Sequence, residues 1–521
     1  MRKLIATTFV LSILFFTNAC DRIGTLTGTE MTVLAGSELK DLEPQLKTIE
    51  KNTGVRLKMK YIGTLDGAEK LMAGEPTDIA WFSHGKYISL LQENNRRIVS
   101  EEKIMLSPVV LGVKMSKAKQ WGWVDNSNIT WRDIADKAKT GELKYAMTNP
   151  ASSNSGFTAT VGVTAAFSNT GDAISAHDVD KQALNDFFKG QQLTAGSSGW
   201  LADAYVKEQN RLDGIINYES VLMQLNTSGK LTEPLYLVYP KEGIITADYP
   251  IMLLNGAKRD DFARLVAFLK TPEFQRTLME DTQRRPVIPQ VKPNDQFPKQ
   301  FLVELPFPSK LETINEILFA YLDEHRRPSH AYFVLDISGS MQGERIHSLQ
   351  GALSNLTGLD TSITGQFSRF RSREKITLIT FNNNVYAPNS FTITETDPQG
   401  TSMRNIRNYV DSLKTGGGTA IFTALRAAYQ QAQQDLAQDP DRFYSVVLMS
   451  DGETNAGISR DQFLQFYDSL PANAKQIKTF PILFGESNVH DMQLLAEYTG
   501  GRVFDGRQSL SHVFKQIRGY Q

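Results

Sequence analysis

The chain has 521 residues, of which 41% are hydrophobic and 22% charged, so it carries enough apolar surface for several packed cores and is not globally disordered. Fifty-six basic residues against 57 acidic ones give a net charge of −1, which leaves no basic excess for nucleic-acid binding through bulk phosphate neutralisation. The one cysteine, Cys20, excludes a disulfide within the chain and any Cys-based zinc site.

The first element is an apolar run, Leu4 to Phe16, behind Arg2 and Lys3 and ahead of Thr17-Asn18-Ala19-Cys20. It has signal-peptide length and is too short to span a bilayer comfortably. It resembles a bacterial lipoprotein signal, with Thr17 standing where an aliphatic residue is usual. The resemblance implies removal of 1–19, lipidation of Cys20 and a tether over 20–30. It also implies anchoring at the extracytoplasmic (periplasmic) face of the cell membrane.

Strands and helices alternate from residue 31 onward. Strands are predicted at 31–35, 57–61, 77–82, 144–147, 214–218, 234–241 and 251–254, with helices after most of them and closing helices at 260–270 and 272–279. Gly36-Ser37, Asn149-Pro150-Ala151-Ser152-Ser153-Asn154-Ser155-Gly156, Asn217-Tyr218-Glu219-Ser220 and Tyr239-Pro240-Lys241-Glu242-Gly243 occur in that order. The order resembles bacterial extracellular solute-binding proteins of the molybdate and sulfate type. It implies two α/β lobes over 31–300, a cleft between them, and lobe crossings near 104–114 and 234–241. Strand-to-helix turns bearing Ser and Gly offer hydroxyls and free backbone N–H groups, which suit an anion or a carboxylate. Ser37, Ser83, Ser153, Ser155 and Tyr218 are the cleft candidates. A small anion and a segment of a partner protein are both open as occupants, since Ser153-Asn154-Ser155-Gly156 departs from the more usual Ser-Gly-Ser-Gly.

Prolines cluster from Pro286 to Pro308, and a helix with one apolar face follows at 310–325. Residues 301–328 therefore form a Pro-rich linker and connector. Beyond it, short apolar strands at 331–336, 375–381, 444–449 and 479–484 alternate with six predicted helices, the pattern of a doubly wound parallel sheet. Ligands of such sheets sit at the carboxyl ends of the strands. Those ends carry Asp336, Ser338 and Ser340, then Thr419 after three glycines, then Asp451. Two carboxylates and three hydroxyls suit a hard cation with oxygen ligands, and leave it short of negative charge. The set lacks P-loop and EF-hand spacing. It resembles the von Willebrand factor A domain and its metal-ion-dependent adhesion site over 329–521. That resemblance implies Mg²⁺ (or Mn²⁺ or Ca²⁺) held by Asp336, Ser338, Ser340, Thr419 and Asp451, and a partner protein that completes the shell with an acidic residue.

No catalytic residue is assigned. The seven histidines are scattered, and neither a His-Glu-x-x-His motif nor a Gly-x-Ser-x-Gly elbow occurs. The sequence thus points to a membrane-anchored binding protein that uses a metal-dependent adhesion site, with its cleft state coupled to that site through the connector. The alternative is the solute receptor of an ABC-type uptake system with an accessory A domain.

Overall fold

Strand Thr29–Gly36 runs parallel to its neighbours Val55–Ile62 and Ile79–Trp81. Its residues from Val33 to Gly36 are all buried, because helices cover both faces and the strand can be apolar without alternation. The computed structural model describes residues 28–91, 97–168, 174, 178–298 and 302–521. The expected signal sequence and Cys20 lie outside the described residues.

The first lobe is a five-stranded sheet completed by Pro250–Leu253 and Ser100–Lys103, with Pro250–Leu253 antiparallel to both neighbours. The second lobe is built on the ten-residue strand Met105–Lys114, which pairs with Gly214–Tyr218, Leu235–Val238, Thr246–Ala247 and Arg285–Pro286. Tyr145–Thr148 and Gln191–Ala195 extend the same sheet. The return crossing differs from the expected one. Strand Leu235–Val238 stays in the second lobe, and the chain leaves it between Ala247 and Pro250. Tyr249 makes that corner with φ 40°, a left-handed conformation that costs a non-glycine residue roughly 1–2 kcal/mol and is held here by complete burial of the ring.

The connector helix is Leu311–Ala320, extended by one wider turn to His325. Its apolar face joins the core of the two lobes through Ile314, Ile317, Leu318, Tyr321 and Leu322. Burying each Ile or Leu contributes about 1.5–3 kcal/mol relative to exposure, so the connector is a packed part of the first domain. Just before it, Glu304 bridges to Ile244 and the Leu305 N–H donates to the Ile244 carbonyl at 2.8 Å.

The last domain is a six-stranded sheet in the order Asn389–Thr392, Lys375–Phe381, Ser329–Asp336, Phe443–Ser450, Lys478–Leu483, Phe504–Asp505. All pairings are parallel except that of the edge strand Asn389–Thr392. Separate apolar clusters fill its two faces, one around Phe333 and Phe480 and the other around Val334 and Tyr429. The four expected central strands and the six expected helices are present within a few residues. The short edge strand and the helix Ile363–Ser368 were not anticipated, because both are too short and too polar to show a period.

The two domains meet over a continuous surface. The Thr364 N–H donates to Glu69 of the first lobe at 2.7 Å. On the second lobe, Tyr520 packs edge-on against Trp200 at 5.0 Å, the Asn149 amide donates to the Arg518 carbonyl at 3.4 Å, and Lys478 pairs with Glu208. The last domain therefore spans both lobes.

Candidate functional site

At the carboxyl end of Ser329–Asp336 the chain enters a short turn, Gly339–Met341, after Ser338. Asp336 Oδ1 accepts from the Ser338 backbone N–H at 2.8 Å and Asp336 Oδ2 from the Ser450 hydroxyl at 2.6 Å. The Ser340 hydroxyl donates to Asp451 Oδ1 at 2.8 Å and lies 3.0 Å from the Ser338 hydroxyl. Four of the five residues expected at the metal site are thus linked in one network. Thr419 belongs to the adjoining loop, which is tied on by Gly339 N–H to Gly417 O and Gly416 N–H to Ile337 O, both at 2.9 Å. The Asn455 side chain accepts from the Thr419 N–H at 2.8 Å.

Asp336 and Asp451 are fully buried, whereas Ser340 is exposed. Burial pushes the Asp336 carboxyl above its ordinary value, the Asp451 charge adds to that, and the serine donors oppose it. Two buried carboxylates in one site require positive charge nearby. Arg345, about one-third exposed, supplies some by pairing with Asp451 Oδ2, a contact with no sequence signature. The donor set is all oxygen and open on the Ser340 side, so it fits a hard divalent cation that keeps an exchangeable position. Among the described residues no cluster of three or more His, Cys, Asp or Glu side chains forms a metal site; this one has two carboxylates, and its other oxygens are hydroxyls.

The second site is the cleft between the lobes. Ser83 and Tyr218 meet across it, the Tyr218 hydroxyl donating to Ser83 Oγ at 2.9 Å, both fully buried. Ser37 and Ser153 line a cavity of about 330 Å³ at the cleft. Ser155 does not reach that cavity; its hydroxyl bonds to Thr148 at 2.9 Å and Ser198 at 2.8 Å inside the second lobe. Sequence reasoning missed Glu38, Asn154 and Arg284. Asn154 donates to Glu38 Oε1 at 3.1 Å and accepts from Thr64. Arg284, 1% exposed, donates to the Glu38 carbonyl at 3.0 Å and to Asp41 at 2.6 Å. Burial pushes the Glu38 carboxyl up, while its backbone N–H, Asn154, Arg284 and Ser83 pull it down.

The cavity is not open in the manner of a free two-lobed cleft. Arg518, Gly519 and Tyr520 of the last domain form part of its wall. The linker also bridges the lobes: Phe307 stacks on His84 of the first lobe at 4.8 Å and lies 6.0 Å from Phe157 of the second. His84 is thereby a packed ring, its pKa pushed down to about 4 by burial.

The geometry agrees with the family comparisons. Residues 31–281 match bacterial extracellular solute-binding protein, and residues 331–515 match the von Willebrand factor type A domain. The chain joins these two domains, with the A domain beginning at the buried strand that carries Asp336. Among solved structures, the periplasmic binding protein AfuA from Actinobacillus pleuropneumoniae is 16% identical (TM-score 0.44, 57% of this chain and 98% of that one). The ferric binding protein from Campylobacter jejuni is 12% identical (TM-score 0.44, 56% and 98%). The sulfate-binding protein SubI from Mycobacterium tuberculosis H37Rv is 21% identical (TM-score 0.40, 56% and 96%). No ligand is carried over from them. No curated protein matches the chain. Among the described residues no helix is long and apolar enough to cross a membrane.

Proposed function

We propose that the protein is a lipid-anchored extracytoplasmic binding protein whose A domain recognises an acidic group of a partner protein through a divalent cation, Mg²⁺ by preference. The observation that carries this reading is the buried Asp336–Asp451 pair joined through Ser338 and Ser340 at an exposed strand end. Asp336, Ser338, Ser340, Thr419 and Asp451 would hold the ion, which supplies Lewis acidity toward a carboxylate. The chain's own residues set the selectivity. Two carboxylates formally balance a dication, but Arg345 offsets one of them at Asp451, so a bound ion would leave the site net positive and attract an anionic partner. The anchor is the lipidated Cys20 inferred from the sequence. No catalytic step is proposed for either domain.

The A domain walls the solute-binding cleft and the linker bridges its lobes, which favours a role as a platform for recognition over one as an uptake receptor that opens and closes freely. The test is affinity capture from detergent-solubilised membranes, comparing wild type with Mg²⁺, wild type with EDTA, and Asp336→Ala with Mg²⁺. A partner present only in the first sample supports metal-mediated recognition. The same partners in all three samples would reject it. Calorimetric titration of Mg²⁺ into the purified wild type and Asp336→Ala separates loss of the ion from loss of the partner.

A further inference from the structure

The floor of the cleft already holds a carboxyl group. Strand Thr29–Gly36 delivers the chain to the cleft, and the Glu38 side chain curls back over the strand's last residue. A Cβ on Gly36 would lie 2.4 Å from Glu38 Oε1, 2.6 Å from Cδ and 2.7 Å from Oε2. Real Cβ contacts are not that short, so Glu38 uses the space that glycine leaves. From the second lobe, the Asn154 amide donates to Oε1 at 3.1 Å. From the first, the Ser83 hydroxyl faces the carboxyl and also accepts from Tyr218 of the second lobe at 2.9 Å. The buried Arg284 guanidinium sits beside it, anchored on the Glu38 carbonyl and on Asp41. Thr64 then locks Asn154 from the first-lobe side.

Donors from both lobes therefore converge on one group, the arrangement by which a two-lobed domain closes around a ligand anion. We infer that Glu38 is an internal ligand: its carboxyl takes the place of a diffusible small anion, and the lobes close on the chain itself. In wild type the point where these donors meet is then filled by the Glu38 carboxyl, and a free oxyanion cannot take that position. Removing the side chain should create a site for a small carboxylate, since the Asn154 amide donor and the Ser83 hydroxyl would be left facing the vacated position, with the Arg284 charge beside it. The closed state becomes a constitutive property of the domain, consistent with the A domain resting on both lobes. This inference stands independently of the metal site.

The test uses full-length protein in detergent, titrated with sodium formate, acetate and sulfate against a chloride reference, by calorimetry and thermal denaturation. Wild type should show no saturable binding of any of these anions. Glu38→Ala should melt lower and regain melting temperature with formate or acetate, gaining a saturable binding isotherm for them that wild type lacks. Glu38→Gln keeps the shape, so it should fold and bind none of them, which keeps the test decisive if Glu38→Ala folds poorly. Saturable binding of any of these anions to wild type or Glu38→Gln would overturn the inference, as would a folded Glu38→Ala that gains no carboxylate binding. Selective recovery with sulfate would overturn the planar-carboxylate assignment.

Discussion

Glu374 joins the connector to the A domain, and its removal should uncouple them. The residue is fully buried and accepts from Arg518 Nη2 at 2.6 and 2.7 Å, from the Arg371 N–H at 2.9 Å, from the Ser329 hydroxyl at 3.1 Å, and from Arg326 of the connector. Burial alone would raise its carboxyl. The Arg518 and Arg326 charges outweigh burial and hold the pKa at about 2, against an ordinary 4.5. At 1.36 kcal/mol per pKa unit, the charged carboxylate contributes about 3 kcal/mol. Burial pulls Arg518 in the opposite direction, below its ordinary value, so that figure is an upper bound on the net worth of the cluster. Glu374→Gln leaves two buried guanidinium groups without their counter-charge, and should cost up to about 3 kcal/mol at neutral pH. The folded pKa is depressed, so this stability is fully present above pH 4.5 and fades as pH falls toward 2. Urea unfolding of wild type and Glu374→Gln, followed over that range, isolates the effect, because other titrating groups cancel in the difference. A gap under about 1 kcal/mol at neutral pH, or one that stays constant down to the lowest pH at which both fold, would refute the account.

Other consequences are simpler to measure. Gly417 has φ +81°, and a Cβ there would lie 2.3 Å from Asn383 Oδ1; Gly417→Ala should displace the loop bearing Thr419 and weaken Mg²⁺ binding about ten-fold while costing only about 1–2 kcal/mol of A-domain stability. Unchanged calorimetric affinity would show that this loop does not set the metal site. Phe307 is half-buried against His84 and Phe157 from opposite lobes, so Phe307→Ala should cost about 1–2 kcal/mol and speed hydrogen exchange in both segments. Exchange that rises in the linker alone would mean Phe307 does not hold the lobes together.

Both domains could be read from residues because their signals are local. Buried strands such as Ala331–Asp336 read as apolar runs, and Asp336, Ser338 and Ser340 lie within five residues of one another on a single strand end. The cleft was less legible. Ser83 and Tyr218 each stand at the carboxyl end of a strand, and they meet across the cleft. Ser155 follows the same rule, yet bonds within its own lobe. Glu38 carried no signal, since an acidic residue opening a helical segment normally reads as a favourable first-turn charge.

The sequence by itself determined the order of the units, the helix and strand periods within them, and the oxygen-rich donor set at the ends of the A-domain strands. These depend on neighbours a few residues apart. Tertiary structure alone decided that the A domain bridges both lobes, that Tyr520 walls the cleft while Phe307 joins the lobes, and that Glu38 meets Asn154, 116 residues away in sequence. Such contacts join segments whose local patterns are complete without one another, so no periodicity in either one records the meeting.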